Sequence, residues 1–274
     1  MTSTSLRLVA VSAAAVTVLA LGACSNGPGN TGPQSGGDQT EVQLVNPGQL
    51  TVCTHLPAPP FEANDDSGEV VGFDIDLMGF VAKNLDAEVA VIDTPFEGIK
   101  SGQDMATGKC DIAASGVTIT EERKQAILFS EPYFDANQGL LVPAGSDITD
   151  LSSLRGKKLG AQSATSGLDY ANEQAEENGY SIVEYQDVAS ASQALQSGQI
   201  DAALHDLPVW TELLKQNPDT FEIAGQFETG EQYGFAMKLG NEALKKVVDE
   251  SIATAKSDGS YDAAYEKWIG DVPE

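Results

Sequence analysis

Residues 73–94 read FDIDLMGFVAKNLDAEVAVIDT, and their periodicity decides the fold. Over 73–87, Ile75, Met78, Ala82 and Leu85 recur at spacings of three, four and three, which puts them on one face of a helix. AEVAVIDT then reads as a short strand. The alternation extends both ways. QLTVCTHL, upstream, is a strand. Residues 96–107 form a helix halted at Gly108, where a left-handed cap fits, and CDIAAS is the next strand. A second round follows: KKLGAQ (strand), GLDYANEQAEEN (helix ended by Gly179), SIVEYQ (strand), ASQALQS (helix ended by Gly198) and IDAALH (strand). EQYGFAMKL reads as another strand, and EALKKVVDESIATAKS and SYDAAYEKWIG as two closing helices. Such alternation predicts an α/β protein of mainly parallel sheets with helices on both faces. The segments TGKCDIAA (107–114) and SGQIDAAL (197–204) share an order of helix end, Gly, two residues, Asp and buried strand, which suggests two similarly built lobes.

The 274 residues carry 41 acidic and 15 basic side chains, a net charge of −26. That argues against nucleic acid as a partner and against docking on an anionic membrane surface. At the N-terminus, Arg7 precedes an uncharged apolar run from residue 8 to residue 23, too short and Ala-rich for a membrane span and fitting a secretory signal. The run ends in LGAC, and here the chain resembles a bacterial lipoprotein, in which Cys24 would be lipidated after cleavage of 1–23; the alternative is an ordinary signal with an incidental cysteine. SNGPGNTGPQSGGDQT has little to bury, so 24–45 reads as a flexible tether. Cys53 and Cys110 each fall on an expected strand. A bridge between neighbouring parallel strands is awkward, so two buried thiols are expected. His55 and His205 are the only histidines, and no CxxC pair exists, so a zinc site or a Cys/His nucleophile has thin support; no metal and no cofactor are expected.

Ligands in open parallel sheets sit beyond the carboxyl ends of the strands. There SGVTITEERKQAILFS (115–130) presents an anomaly. Thr120 suits a helix N-cap and Glu121 and Glu122 suit the first turn, but Arg123 has the wrong sign for the helix dipole. Arg123 either pairs with a nearby glutamate at the surface or serves a ligand. Gly116 allows close backbone approach, Thr118 offers a hydroxyl, and with Arg123 they make a receptor for a small carboxylate. SATSG (163–167) opens a helix whose N–H groups also favour a polar head. Asp206, at a strand end, could hold an ammonium. A carboxylate site facing an ammonium site describes a free α-amino acid.

PPFEANDDSGEVVGFDIDL, SGVTITEERKQAILFSEPY, GQIDAALHD and DGSYDAAYEKWIG, in that order over about residues 48–270, resemble the polar amino-acid family of solute-binding proteins that serve ABC importers, most nearly its glutamine-binding members. The resemblance implies the type II periplasmic-binding fold, with lobe 1 from 46–137 and 236–274, lobe 2 from 141–229, and hinges near 138–142 and 231–235. It implies a non-enzymatic monomer outside the cytoplasm, held to the outer face of the cell membrane through Cys24, that captures an amino acid by hinge closure and passes it to permease subunits. By position, Arg123 would grip the ligand carboxylate, Gly116 and Thr118 would add first-lobe contacts, and Thr165, Ser166 and Gln162 second-lobe contacts. Asp206 would accept the ammonium. Phe96 is an apolar wall or core packing, and His205 a ligand contact or a strand-end histidine.

Two positions depart from the glutamine-binding pattern: His55 replaces an Asp that receives the side-chain amide, and Ala58 replaces an aromatic cover. His55 would tolerate a carboxylate, so glutamate or a bulkier polar amino acid stays open beside glutamine. An enzyme on the same scaffold, such as a cyclohexadienyl dehydratase, and a sensory module are the rival readings.

Overall fold

The computed structural model describes residues 42–270 and 272. The signal segment 1–23, the lipidation candidate Cys24 and most of the tether lie outside the described residues.

The chain runs β1 (Gln49–Thr54), β2 (Ala63–Asn64), β3 (Val70–Val71), α1 (Phe73–Asn84), β4 (Glu88–Asp93), α2 (Phe96–Lys100), α3 (Gln103–Ala106), β5 (Ile112–Ala113) and β6 (Ile127–Phe129). The long β7 (Phe134–Pro143) leads to β8 (Lys158–Gln162), α4 (Ser166–Asn178), β9 (Ser181–Tyr185), α5 (Val188–Gln196), β10 (Ala202–Asp206) and α6 (Leu207–Gln216). The equally long β11 (Phe221–Tyr233) returns to β12 (Ala236–Lys238), α7 (Glu242–Asp258) and α8 (Ser260–Trp268). Two five-stranded sheets result, ordered β4-β1-β5-β12-β6 and β11-β7-β10-β8-β9. Three strands of each are parallel, as the helical crossovers require. The strands that carry the chain between the sheets pair antiparallel. β7 and β11 run side by side from Phe134–Tyr233 at one end to Pro143–Phe221 at the other, with register shifts between Ile223 and Gly225 and between Phe227 and Glu231.

The repeated segments have a common structural cause. Asp111 accepts the Thr51 N–H at 2.8 Å and its own N–H donates to Thr51 O at 2.9 Å; Asp201 does the same with Lys158, at 2.8 and 2.9 Å. Each aspartate therefore pins the entry of the sheet's central strand, β5 or β10, to its parallel neighbour, β1 or β8. Gly108 and Gly198, at φ 74° and 71°, close the preceding helices with matching bonds to Met105 O and Leu195 O.

Four expectations change. Residues 96–107 are two short helices, because the chain turns at Gly102 with φ 74°. The buried side of α1 is Phe73, Asp74, Leu77, Met78, Val81 and Ala82, a face rotated from the expected one, so Ile75 is only half-buried. EQYGFAMKL is not one strand: β11 ends at Tyr233 and β12 begins at Ala236. Cys53 and Cys110 form a disulfide, with Cα atoms 5.7 Å apart. β5 comprises only Ile112–Ala113, so Cys110 precedes the ladder and can turn toward Cys53.

Candidate functional site

The ends of β1, β5, β8 and β10 converge on a cleft between the sheets. All ten residues singled out for a ligand line it: His55, Phe96, Gly116, Thr118, Arg123, Gln162, Thr165, Ser166, His205 and Asp206. The wall also contains Ala58, Phe61, Glu62, Ser115, Val209 and Tyr233.

Arg123 starts a single 3-10 turn, Arg123–Gln125, in place of the expected helix. Thr120 still acts as a cap of sorts: its hydroxyl accepts the Arg123 N–H at 3.1 Å. One such turn has little dipole to oppose a cation, which dissolves the anomaly. The side chain bends back into the cleft, 4% exposed. Nη1 donates to Thr118 O at 2.9 Å, and Nη2 crosses to Ala164 O at 3.0 Å. The Phe96 ring stands 5.7 Å from the guanidinium carbon and supplies an apolar, π-bearing wall. Among the described residues no carboxylate forms an ion pair with Arg123. Burial pushes its pKa down, against the pull of Asp206 and Asp169. Ala164 is held at φ 68°, a left-handed conformation uncommon for a non-glycine residue, and that turn aims its carbonyl at Arg123.

Opposite, Thr165 caps α4: its hydroxyl accepts the Leu168 N–H at 3.1 Å and donates to Gln162 O at 2.7 Å. It is thus committed to the helix start. Ser166 is available, its Oγ 3.1 Å from Thr118 Oγ1 across the cleft. His205 is buried, and burial lowers its pKa, so the imidazole is neutral. Its Nδ1 accepts the Asp206 N–H, which assigns the proton to Nε2, donated to Gln162 Oε1 at 3.1 Å. Asp206 takes the Gln138 amide on Oδ1 and the Tyr233 hydroxyl on Oδ2.

Both ring nitrogens of His55 lie near backbone carbonyls, and a neutral imidazole, with one N–H, donates to only one of them. Nδ1 lies 3.0 Å from Thr94 O and Nε2 lies 3.3 Å from Gln186 O, on the facing half of the cleft.

Beneath Gly116 lies an acidic pair that the sequence reading did not select. Asp74 accepts Gly116 N–H at 3.0 Å and Tyr133 O–H at 2.7 Å; Glu62 accepts Ser115 O–H at 2.6 Å. Both acids are fully buried. Burial raises Asp74 to about 7, and burial with the neighbouring Asp74 charge raises Glu62 well above the carboxylate range. The folded protein then holds protons that the unfolded chain has already lost, so folding takes up protons and stability falls with rising pH. The contribution is complete below about pH 4 and is lost as pH passes through the raised values, near 7 for Asp74. The unfolding midpoint of the unliganded protein is expected to fall from pH 5 to pH 8, and Glu62→Gln to flatten that fall. Equal slopes for both proteins would refute the assignment.

Among the described residues, no group of three or more His, Cys, Asp or Glu side chains is placed to hold a metal ion, and no helix is long and apolar enough to cross a membrane.

Residues 50–271 match the bacterial extracellular solute-binding proteins, family 3. The chain belongs to that family. This solute-binding chain is 36% identical over 214 residues to the ABC transporter glutamine-binding protein GlnH of Bacillus subtilis strain 168, covering 77% of each. It is 31% identical to a probable histidine-binding protein of Neisseria gonorrhoeae over 94% of this chain and 93% of that one. A solved ancestral arginine-binding protein bound to arginine superposes with a TM-score of 0.77 at 38% identity, over 81% of this chain and 99% of the other. The fold is therefore the type II periplasmic-binding fold.

Proposed function

We propose that this chain binds a free polar L-amino acid in the cleft and delivers it to the permease of an ABC importer. The observation that carries the reading is Arg123: a buried guanidinium, held by two carbonyls and contacting no carboxylate among the described residues, shares one cavity with Asp206. A buried charge without an opposite charge is costly. An α-carboxylate supplies that charge, and its fork geometry suits a guanidinium. The α-ammonium would reach Asp206, with Gly116, Thr118 and Ser166 between them.

Lobe 1 would comprise 46–137 and 236–274 and lobe 2 141–229, with closure about the β7–β11 pair. A ligand touching both lobes only when closed shifts the open–closed equilibrium by its differential affinity. Lipidation at Cys24 would hold the protein at the outer face of the membrane.

Among the described residues, Arg123 is the one permanent cation that lines the cavity. A ligand with two carboxylates must share it, so a neutral amide side chain such as that of glutamine fits better than glutamate. A thermal-shift screen of the twenty L-amino acids plus L-cystine tests the reading. At a hundredfold excess over Kd a ligand contributes about 2.7 kcal/mol, a rise of roughly 5–10 °C for a protein of this size. No shift with any of them would sink it.

One observation favours an enzyme on this scaffold: the Glu62 carboxyl, whose pKa burial raises, lines the cavity and could serve as an acid. Incubation with prephenate and arogenate that yields no aromatic product would remove that reading.

A further inference from the structure

Tyr233 is buried where β11 ends, at the junction between the sheets. Its backbone is tied to the first sheet's side. Its carbonyl accepts the Tyr133 N–H at 3.0 Å, and it bridges Thr118. On either side of it, Gln232 O accepts Ile119 N–H at 2.8 Å and Gly234 N–H donates to Val117 O at 3.0 Å. The ring closes on Gly116, where an added Cβ would lie 3.2 Å from Tyr233 Cε2. The hydroxyl, by contrast, reaches the end of β10 and donates to Asp206 Oδ2. One side chain thus touches the loop that presents Gly116 and Thr118 and also the carboxylate on the other side of the cleft.

We propose that Tyr233 is a positioning residue for ligand capture: its hydroxyl fixes the Asp206 carboxylate in the orientation that receives the ligand ammonium, and its ring sets that carboxylate against the 116–118 loop. The role rests on the amino-acid reading above. A carboxylate has about four acceptor positions. Gln138 and Tyr233 occupy one on each oxygen, which leaves acceptor positions for a ligand on a carboxylate that lines the cavity. Without the phenol, one oxygen is unanchored and the carboxylate must be ordered when the ammonium arrives. Hydrogen bonds to a charged group are among the stronger ones, so the loss registers in affinity.

Tyr233→Phe keeps the ring against Gly116 and removes only the hydroxyl. The probe is the amino acid giving the largest shift in the screen of twenty plus L-cystine, measured by calorimetry beside its 2-hydroxy-acid counterpart, which lacks the ammonium. Tyr233→Phe should weaken the amino acid about tenfold and the hydroxy acid by less than about twofold. Asp206→Asn provides a second arm: in that background Tyr233→Phe should cost less than about twofold. Equal losses for both ligands, or the same loss in both backgrounds, would assign Tyr233 a merely structural role and overturn the proposal. A wild-type protein that binds beside a Tyr233→Phe protein of unchanged or tighter affinity overturns the role of Tyr233 alone. A wild-type protein that binds none of the probes removes the amino-acid reading and this role with it.

Discussion

Arg123→Ala should weaken amino-acid binding by about 2–5 kcal/mol, roughly 30- to 5,000-fold in Kd. The size follows from burial. Arg123 is 4% exposed, and among the described residues its guanidinium is held by two carbonyls and touches no carboxylate. A ligand carboxylate meeting it is screened little by water, and truncation leaves that carboxylate buried and unpaired. Arg123→Lys should fall between, since an ammonium keeps the charge but lacks the planar fork. The unliganded protein should lose little stability, because the substitution also removes a desolvated cation. Calorimetric titration with the amino acid found by thermal shift decides the matter: an Arg123→Ala protein within twofold of wild type would show that the carboxylate is held elsewhere.

That site was legible in part because its residues follow strands, and strand ends can be placed from local periodicity. Arg123 stood out for a reason the structure removes. The helix expected from Thr120, Glu121 and Glu122 is one 3-10 turn, so the residue was found through a dipole conflict that does not exist. Other features depend on contacts distant in the chain. Cys110 reads locally as a strand residue, and only the two-residue length of β5 lets it reach Cys53. Glu62 and Asp74 are readable in the sequence, but their shared burial under Ser115 and Gly116 depends on how the 60–62 segment and the start of α1 meet the loop after β5. Tyr233 read as part of a crossing strand, and periodicity cannot say that its hydroxyl reaches Asp206. His55 has the same limit: its ring is held by carbonyls 39 and 131 residues away in sequence. Local pattern fixes which face a residue occupies, and long-range register fixes what it touches.

Gly72→Ala should cost roughly 3–5 kcal/mol, the sum of a backbone conformation nearly restricted to glycine and an overpacked contact. Gly72 precedes α1 at φ 147° and ψ 178°. A Cβ there would lie 2.0 Å from Phe61 O and 2.8 Å from Glu62 N, which are backbone atoms that cannot rotate away. The close approach has a purpose in the site. Phe73 N–H donates to Pro60 O at 3.0 Å and Asp74 N–H to Phe61 O at 3.1 Å, so the start of α1 is laid directly on the segment carrying Glu62. That contact brings Asp74 under Gly116 and Glu62 under Ser115. Gly79→Ala, in the middle of α1 with open space around its Cβ, is the control. It should stabilise by about 0.5–1 kcal/mol through helix propensity and a less free unfolded chain. Denaturant unfolding of both variants separates the two effects by sign. Gly72→Ala with wild-type stability would mean that α1 can lift from the 60–62 segment, and the acidic pair would then not be the fixed floor of the cleft.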